Sequence, residues 1–123
     1  MSNKDQKTYS KRFLGIQYAL KGVFLLFKTE RNFQIQFTIA IIMTGAGFCF
    51  KISTTEWLFQ IIAISMVLSC EAMNTAFEKL ADFIMPDHHD KIGQAKDIAA
   101  AAVFLTAIFA GVIGLIIYLP KLL

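Results

Sequence analysis

Three long apolar runs, at about residues 33–50, 57–82 and 97–119, limit what this 123-residue chain can fold into. A helical bilayer crossing takes about 20 mostly apolar residues. A small soluble core cannot hide three helices that are apolar nearly all round. Hydrophobic residues make up 56% of the chain and charged ones 17%. Soluble domains run nearer 45–50% and about a quarter. The bilayer is the natural solvent for that excess, and the same apolar content excludes a disordered chain. At this length one domain, residues 1–123, is expected. The class expected is all-α and integral to a membrane.

The ends of the runs carry the topology. Residues 1–8 are polar and read as a tail. Across 9–29, Phe13, Ile16, Leu20, Val23, Phe24 and Phe27 recur at helical spacing, with Lys11, Gln17, Lys21 and Lys28 largely between them. A basic amphipathic helix of this kind lies on a membrane surface. Lys91 and Lys96 place the 83–96 connection on the same side as the basic N-terminal block. By the positive-inside tendency both are cytoplasmic. The 51–56 turn and the C-terminus then lie outside, with Lys121 a count against that. Ser53 or Thr54 is a fitting cap for the second span, with Trp57 at the interface, and the third span ends before Pro120. Next to apolar spans the basic block suits anionic lipid, and no nucleic-acid partner is expected. No secretory leader is expected either, because the first apolar run comes late. Cys49 and Cys70 sit alone in apolar runs and read as small hydrophobes.

The second span breaks the rule for membrane helices. It carries Glu71, Asn74, Glu78 and Asp82 at spacings of 3, 4 and 4, which puts all of them on one helical face. A carboxylate at the centre of a span costs about 2.5–3.5 kcal/mol on insertion scales, and less near the interface. Such a stripe implies a polar site or a helix–helix contact. Carboxylates this close repel one another unless a cation joins them. Mg²⁺ takes oxygen ligands, commonly one or two carboxylates plus substrate phosphates. Glu30, just ahead of the first span, is a further donor. Lys96 stands in the loop free to reach an anionic group. Asp97 fits an N-cap or first-turn acid, so the pair also fits a plain helix start with a snorkelling lysine. Asp87, His88, His89 and Asp90 allow a metal site but equally a solvated loop. The chain has neither a GxxxxGK[ST] phosphate loop nor GxGxxG, so nucleotide chemistry here needs another design.

Glu71-Ala-Met-Asn-Thr-Ala-Phe-Glu78, then Asp82, then Ala95-Lys-Asp-Ile-Ala-Ala-Ala-Ala-Val103 resemble a known family. These are the small prokaryotic integral-membrane diacylglycerol kinases and their undecaprenol-kinase relatives, with the pattern ExxNTAxExxxD followed by AKDxAAxAV. Glu30-Arg-Asn-Phe33 and the segment Tyr18 to Gly22 resemble it too, and the likeness covers about residues 10–118.

The resemblance implies a surface helix plus three transmembrane helices, a homotrimer with sites between subunits, and a bacterial inner-membrane location. It implies transfer of the ATP γ-phosphoryl group, with Mg²⁺, to a lipid hydroxyl of diacylglycerol or undecaprenol at the cytoplasmic interface. By that likeness Glu71 is the general base and Asn74 orients groups beside it. Glu30 and Glu78 hold the metal that bridges the nucleotide. Lys11 (or Arg12), Tyr18, Asp87, His88, His89, Lys96 and Asp97 line the nucleotide, and Ala100 joins Glu71 beside the lipid. Ala100, Ala101 and Ala102 stand where many relatives have Gly or Ser, which bears on the acceptor.

Two other classes compete on the residues alone. A small cation or proton channel would use the Glu/Asn/Glu/Asp stripe as its pathway. A non-catalytic assembly protein would use it to join helices. Neither has a use for Glu30 together with Lys96 and Asp97.

Overall fold

A computed structural model describes residues 3–123, with the side chains of residues 4–14 outside the description. The chain forms four helices: α1 (Asn3–Thr29), α2 (Arg31–Cys49), α3 (Thr54–Ile84) and α4 (Asp90–Leu122). Among the described residues all regular structure is helical, and α2, α3 and α4 are each long and apolar enough to cross a membrane. α4 packs chiefly on α3, α2 packs on α3, and α1 touches α2.

Only Glu30 separates α1 from α2, at φ −106° and ψ 105°. The break leaves carbonyls at the end of α1 without helical partners. Gln34 Nε2 donates to one of them, the Phe27 carbonyl, at 2.7 Å. The rings of Phe27, Phe33 and Phe37 then lock the corner, with Phe27 edge-on to the other two at centroid distances of 5.0 and 4.6 Å. This corner fixes the backbone position of Glu30.

The link from α2 to α3 is stopped at both ends by local chemistry. Lys51 turns the chain with φ 50°. Ser53 Oγ accepts from the Glu56 backbone N–H at 3.2 Å, and Glu56 Oε1 accepts from the Ser53 backbone N–H at 3.0 Å. This reciprocal cap starts α3. Lys121 Nζ donates to both oxygens of Glu56, at 3.2 and 2.9 Å, and so ties the end of α4 to the start of α3.

A polar knot holds the three long helices together at this end. Gln60 Nε2 donates to the Met43 carbonyl at 2.9 Å, and the Tyr118 hydroxyl donates to Gln60 Oε1 at 2.6 Å. Gln60 and Tyr118 are both buried, so each polar group needs the other. Trp57 packs over Gly47 so closely that a Cβ there would lie 2.6 Å from the indole ring. The ring is also packed on Phe48, at 4.9 Å between centroids, and has little room to give. Gly47→Ala is therefore expected to destabilise the α2–α3 corner by about 1–3 kcal/mol, the usual range for overpacking. Thermal unfolding in detergent micelles checks this; an unchanged midpoint contradicts the packing described.

α4 departs from the sequence expectation at both ends. It starts at Asp90, capped by His89, whose Nδ1 accepts from the Lys91 backbone N–H at 3.2 Å. Asp97 is therefore neither N-cap nor first-turn acid. Residues 90–96 mix Asp90, Lys91, Gln94 and Lys96 with Ile92 and Ala95 and hold Gly93 as the poorest helix former, so the helix extends beyond the apolar run. Pro120 lies within the last turn of α4. A proline there leaves the Ile116 carbonyl without its helical N–H partner, and the helix runs only two residues further.

Candidate functional site at the α3 polar stripe

At the opposite end of the bundle from the Tyr118 knot, α3 presents its polar face to α2. Glu71 and Asn74 are buried, at 4% and 8% exposure, along with Thr75 at 5%. Gln36 on α2 donates from Nε2 to Glu71 Oε2 over 3.4 Å. Asn74 Nδ2 donates to Glu78 Oε1, also over 3.4 Å. Both bonds are long, and catalytic hydrogen bonds commonly tighten when the reacting groups bind. Glu78 and Glu30 stand near enough to Glu71 for their charges to act on it. Glu30 in turn pairs with Lys79 at 3.4 Å.

The short α3–α4 link brings Lys96 onto this cluster. Its Nζ lies 2.6 Å from Asp82 Oδ1, and Glu78 contributes to the field around it. Lys96 therefore differs from expectation: it sits inside α4 and is already engaged by a carboxylate. Asp82, near the end of α3, and Lys96, in the second turn of α4, face each other across the link.

The structure thus gathers Glu30, Glu71, Asn74, Glu78 and Lys96, with Gln36, Lys79 and Asp82 around them. Other candidates stand apart. Tyr18, on α1, is 63% exposed, with Lys21 Nζ 5.6 Å from its ring centroid. Asp87, His88 and His89 are exposed in the link between α3 and α4, where His88 Nε2 pairs with Asp90 Oδ1 at 3.2 Å. Asp97 and Ala100 are exposed on α4. The side chain of Lys11, like that of Arg12, lies outside the described residues.

Two buried oxygens, Gln36 Oε1 and Asn74 Oδ1, have no hydrogen-bond partner among the described residues. Unpaired buried acceptors are uncommon, and each asks for an explanation. Here both occur beside Glu71, in a cluster whose other donors are carboxylate oxygens. An all-oxygen set of this kind suits a hard cation such as Mg²⁺. Among the described residues, no three His, Cys, Asp or Glu side chains converge to hold a metal by themselves. The cluster fits an ion that takes one or two carboxylates and fills its remaining positions from phosphate and water.

An apolar groove of about 580 Å³ runs between α2, α3 and α4, and Gln36 lines it along with Ile39, Ala63, Ile64, Val67 and Ala107. Gln36 is thus shared between the groove and the polar stripe. Sequence reasoning missed the part played by Gln36 and Lys79. Gln36 was visible only as a polar residue near the start of an otherwise uncharged span, and Lys79 as the neighbour of Glu78.

The sequence profile of the prokaryotic diacylglycerol kinases matches residues 17–118. The chain is 37% identical over 123 residues to undecaprenol kinase of Bacillus subtilis, an alignment covering 99% of this chain and 100% of that one. It is 32% identical over 111 residues to diacylglycerol kinase of Synechocystis, covering 89% of this chain and 63% of that longer protein. With diacylglycerol kinase of Haemophilus influenzae it shares 29% over 97 residues, or 79% and 82% of the two chains. The polar stripe, the Lys96 contact and the Glu30 corner all fall inside the matched region, and the chain belongs to the prokaryotic diacylglycerol kinase family.

Proposed function

We propose that the protein transfers the γ-phosphoryl group of ATP to the hydroxyl of undecaprenol at the cytoplasmic face of a bacterial inner membrane. Membership of the family makes the chain a lipid kinase. The choice of acceptor rests on the full-length likeness to undecaprenol kinase. Diacylglycerol is the runner-up, because other relatives carry that name. The observation that carries the site assignment is a buried carboxylate, Glu71, flanked by two acceptor oxygens that lack donors among the described residues.

Phosphoryl transfer asks for alignment and charge neutralisation more than for covalent help. Glu71 accepts the proton of the lipid hydroxyl as that oxygen forms its bond to the γ-phosphorus. The bond from the γ-phosphorus to the β–γ bridging oxygen breaks, and ADP leaves. Asn74 orients the groups beside Glu71, and Ala100 stands beside the lipid. Glu30 and Glu78 are the residues that would hold Mg²⁺, which would offset the phosphate charge. Lys96 exchanges its Asp82 partner for phosphate, and Asp97 meets the nucleoside. Lys11, Tyr18, Asp87, His88 and His89 surround the nucleotide on the cytoplasmic side. Residues 9–29 of α1 lie along the membrane surface as an amphipathic helix, and residues 1–123 act as one membrane kinase domain. Three copies assemble as a homotrimer with a site at each subunit contact.

The test is phosphate transfer from γ-labelled ATP in mixed micelles, offering undecaprenol and diacylglycerol separately with Mg²⁺. Labelled undecaprenyl phosphate in excess is expected. Labelled phosphatidic acid in excess reverses the acceptor, and label on neither lipid contradicts the assignment.

A further inference from the structure

We propose that Gln36 is a positioning residue for Glu71, holding the carboxylate in the rotamer from which it takes the lipid proton. The inference rests on the lipid-kinase reading and on Glu71 as its base. Gln36 reaches Glu71 from a different helix, with Nε2 of α2 meeting Oε2 of α3 across 3.4 Å. Among the described residues it is the one side chain that donates a hydrogen bond to the Glu71 carboxylate. An amide can present either end to its neighbour. Towards an ionised carboxylate only the N–H end is attractive, because the oxygen end sets two acceptors face to face. That orientation leaves Gln36 Oε1 buried without a donor.

An apolar side chain at this position would carry no such standing cost. The neighbouring amide, Gln34, spends its N–H on the Phe27 carbonyl and serves the α1–α2 corner. Gln36 serves no comparable corner, and the bond it makes across the helices goes to Glu71. The other charged groups near the carboxylate do not orient it. Glu30, at the start of α2, is tied to Lys79, and Lys96, on α4, is tied to Asp82. Glu78, on the same helix as Glu71, takes the Asn74 amide. Among the described residues Glu71 thus has carboxylates around it and a single amide donating to it. Gln36 also lines the apolar groove between the three long helices, so it stands where an apolar chain and the carboxylate meet.

A base turned away from its proton loses rate without losing nucleotide affinity, and a misplacement of about 1 Å can cost about 100-fold. Gln36→Met keeps length and loses both the N–H donors and the oxygen of the amide; Gln36→Leu loses them too, with a shorter, branched side chain. For either variant with an unchanged thermal midpoint in detergent, kcat is expected to fall by about 10- to 100-fold while KM for ATP stays within about twofold. In a Glu71→Gln background, removing the Gln36 amide is expected to cost nothing further, because the group it positions is gone. A purely structural glutamine would give additive losses in that double variant and would move the thermal midpoint. Wild-type kcat in a folded Gln36→Met protein overturns the inference, as does a loss confined to KM for ATP. If Glu71→Gln itself keeps full turnover, the reading of Glu71 as base fails first, and that result is distinct from a failure of Gln36 alone.

Discussion

Glu71→Gln is expected to lower kcat by about 10²- to 10⁴-fold, the range that a positioned general base contributes. The amide matches the carboxylate in shape, and Glu71 is 4% exposed, so the substitution changes chemistry with little change in packing. Gln36 Nε2 can still donate to the new amide oxygen. Removing a buried carboxylate beside Glu78 and Glu30 also removes repulsion, so the variant should fold at least as well as the parent. A loss of activity therefore cannot be assigned to unfolding if the thermal midpoint holds or rises. ATP binding should survive, because the proposed nucleotide residues, Lys96 and Asp97 among them, are left unchanged. Turnover in phosphate-transfer assays, with equilibrium ATP binding on the same preparation, checks the prediction. A Glu71→Gln protein with parental kcat would sink the assignment of the base.

The second large effect is expected at Glu78. Glu78→Gln should cut turnover by about 10²- to 10³-fold at limiting Mg²⁺, the size of effect seen when one preorganised electrostatic group is removed. The signature that separates it from Glu71→Gln is the metal dependence. Raising Mg²⁺ should restore part of the activity of Glu78→Gln and none of that of Glu71→Gln. Glu30→Gln should behave like Glu78→Gln, and it frees Lys79, its partner at 3.4 Å. A magnesium titration of kcat on the three variants checks this. Superimposable titrations for parent and Glu78→Gln contradict a metal-holding role.

Some of this was legible in the chain and some was not, for physical reasons. The three spans show themselves because a bilayer helix must be apolar for its full length. The face shared by Glu71, Asn74, Glu78 and Asp82 follows from helical period alone; the structure buries Glu71 and Asn74, half-buries Glu78 and leaves Asp82 exposed. The Ser53 cap was readable because its partner, Glu56, is local in sequence. The start of α4 was not readable, since residues 90–96 are too rich in charge to extend the apolar run yet compatible with helix, and hydropathy reports lipid contact rather than helicity. The pairing of Lys96 with Asp82, and of Glu30 with Lys79, depends on how helices lie against one another. So does the bond from Gln36 to Glu71, which joins residues 35 apart in sequence. The Tyr118–Gln60 knot was missed for the same reason, because neither residue announces a partner 58 positions away.

The central claim is that the α3 stripe moves phosphate onto a lipid. Proteoliposomes holding undecaprenol and supplied with Mg²⁺ and ATP test it most directly, with ADP and lipid phosphate measured in the same sample. The two products are expected in equimolar amounts, and neither is expected from Glu71→Gln. ADP released without lipid phosphate, or lipid phosphate made at the parental rate by Glu71→Gln, would contradict it.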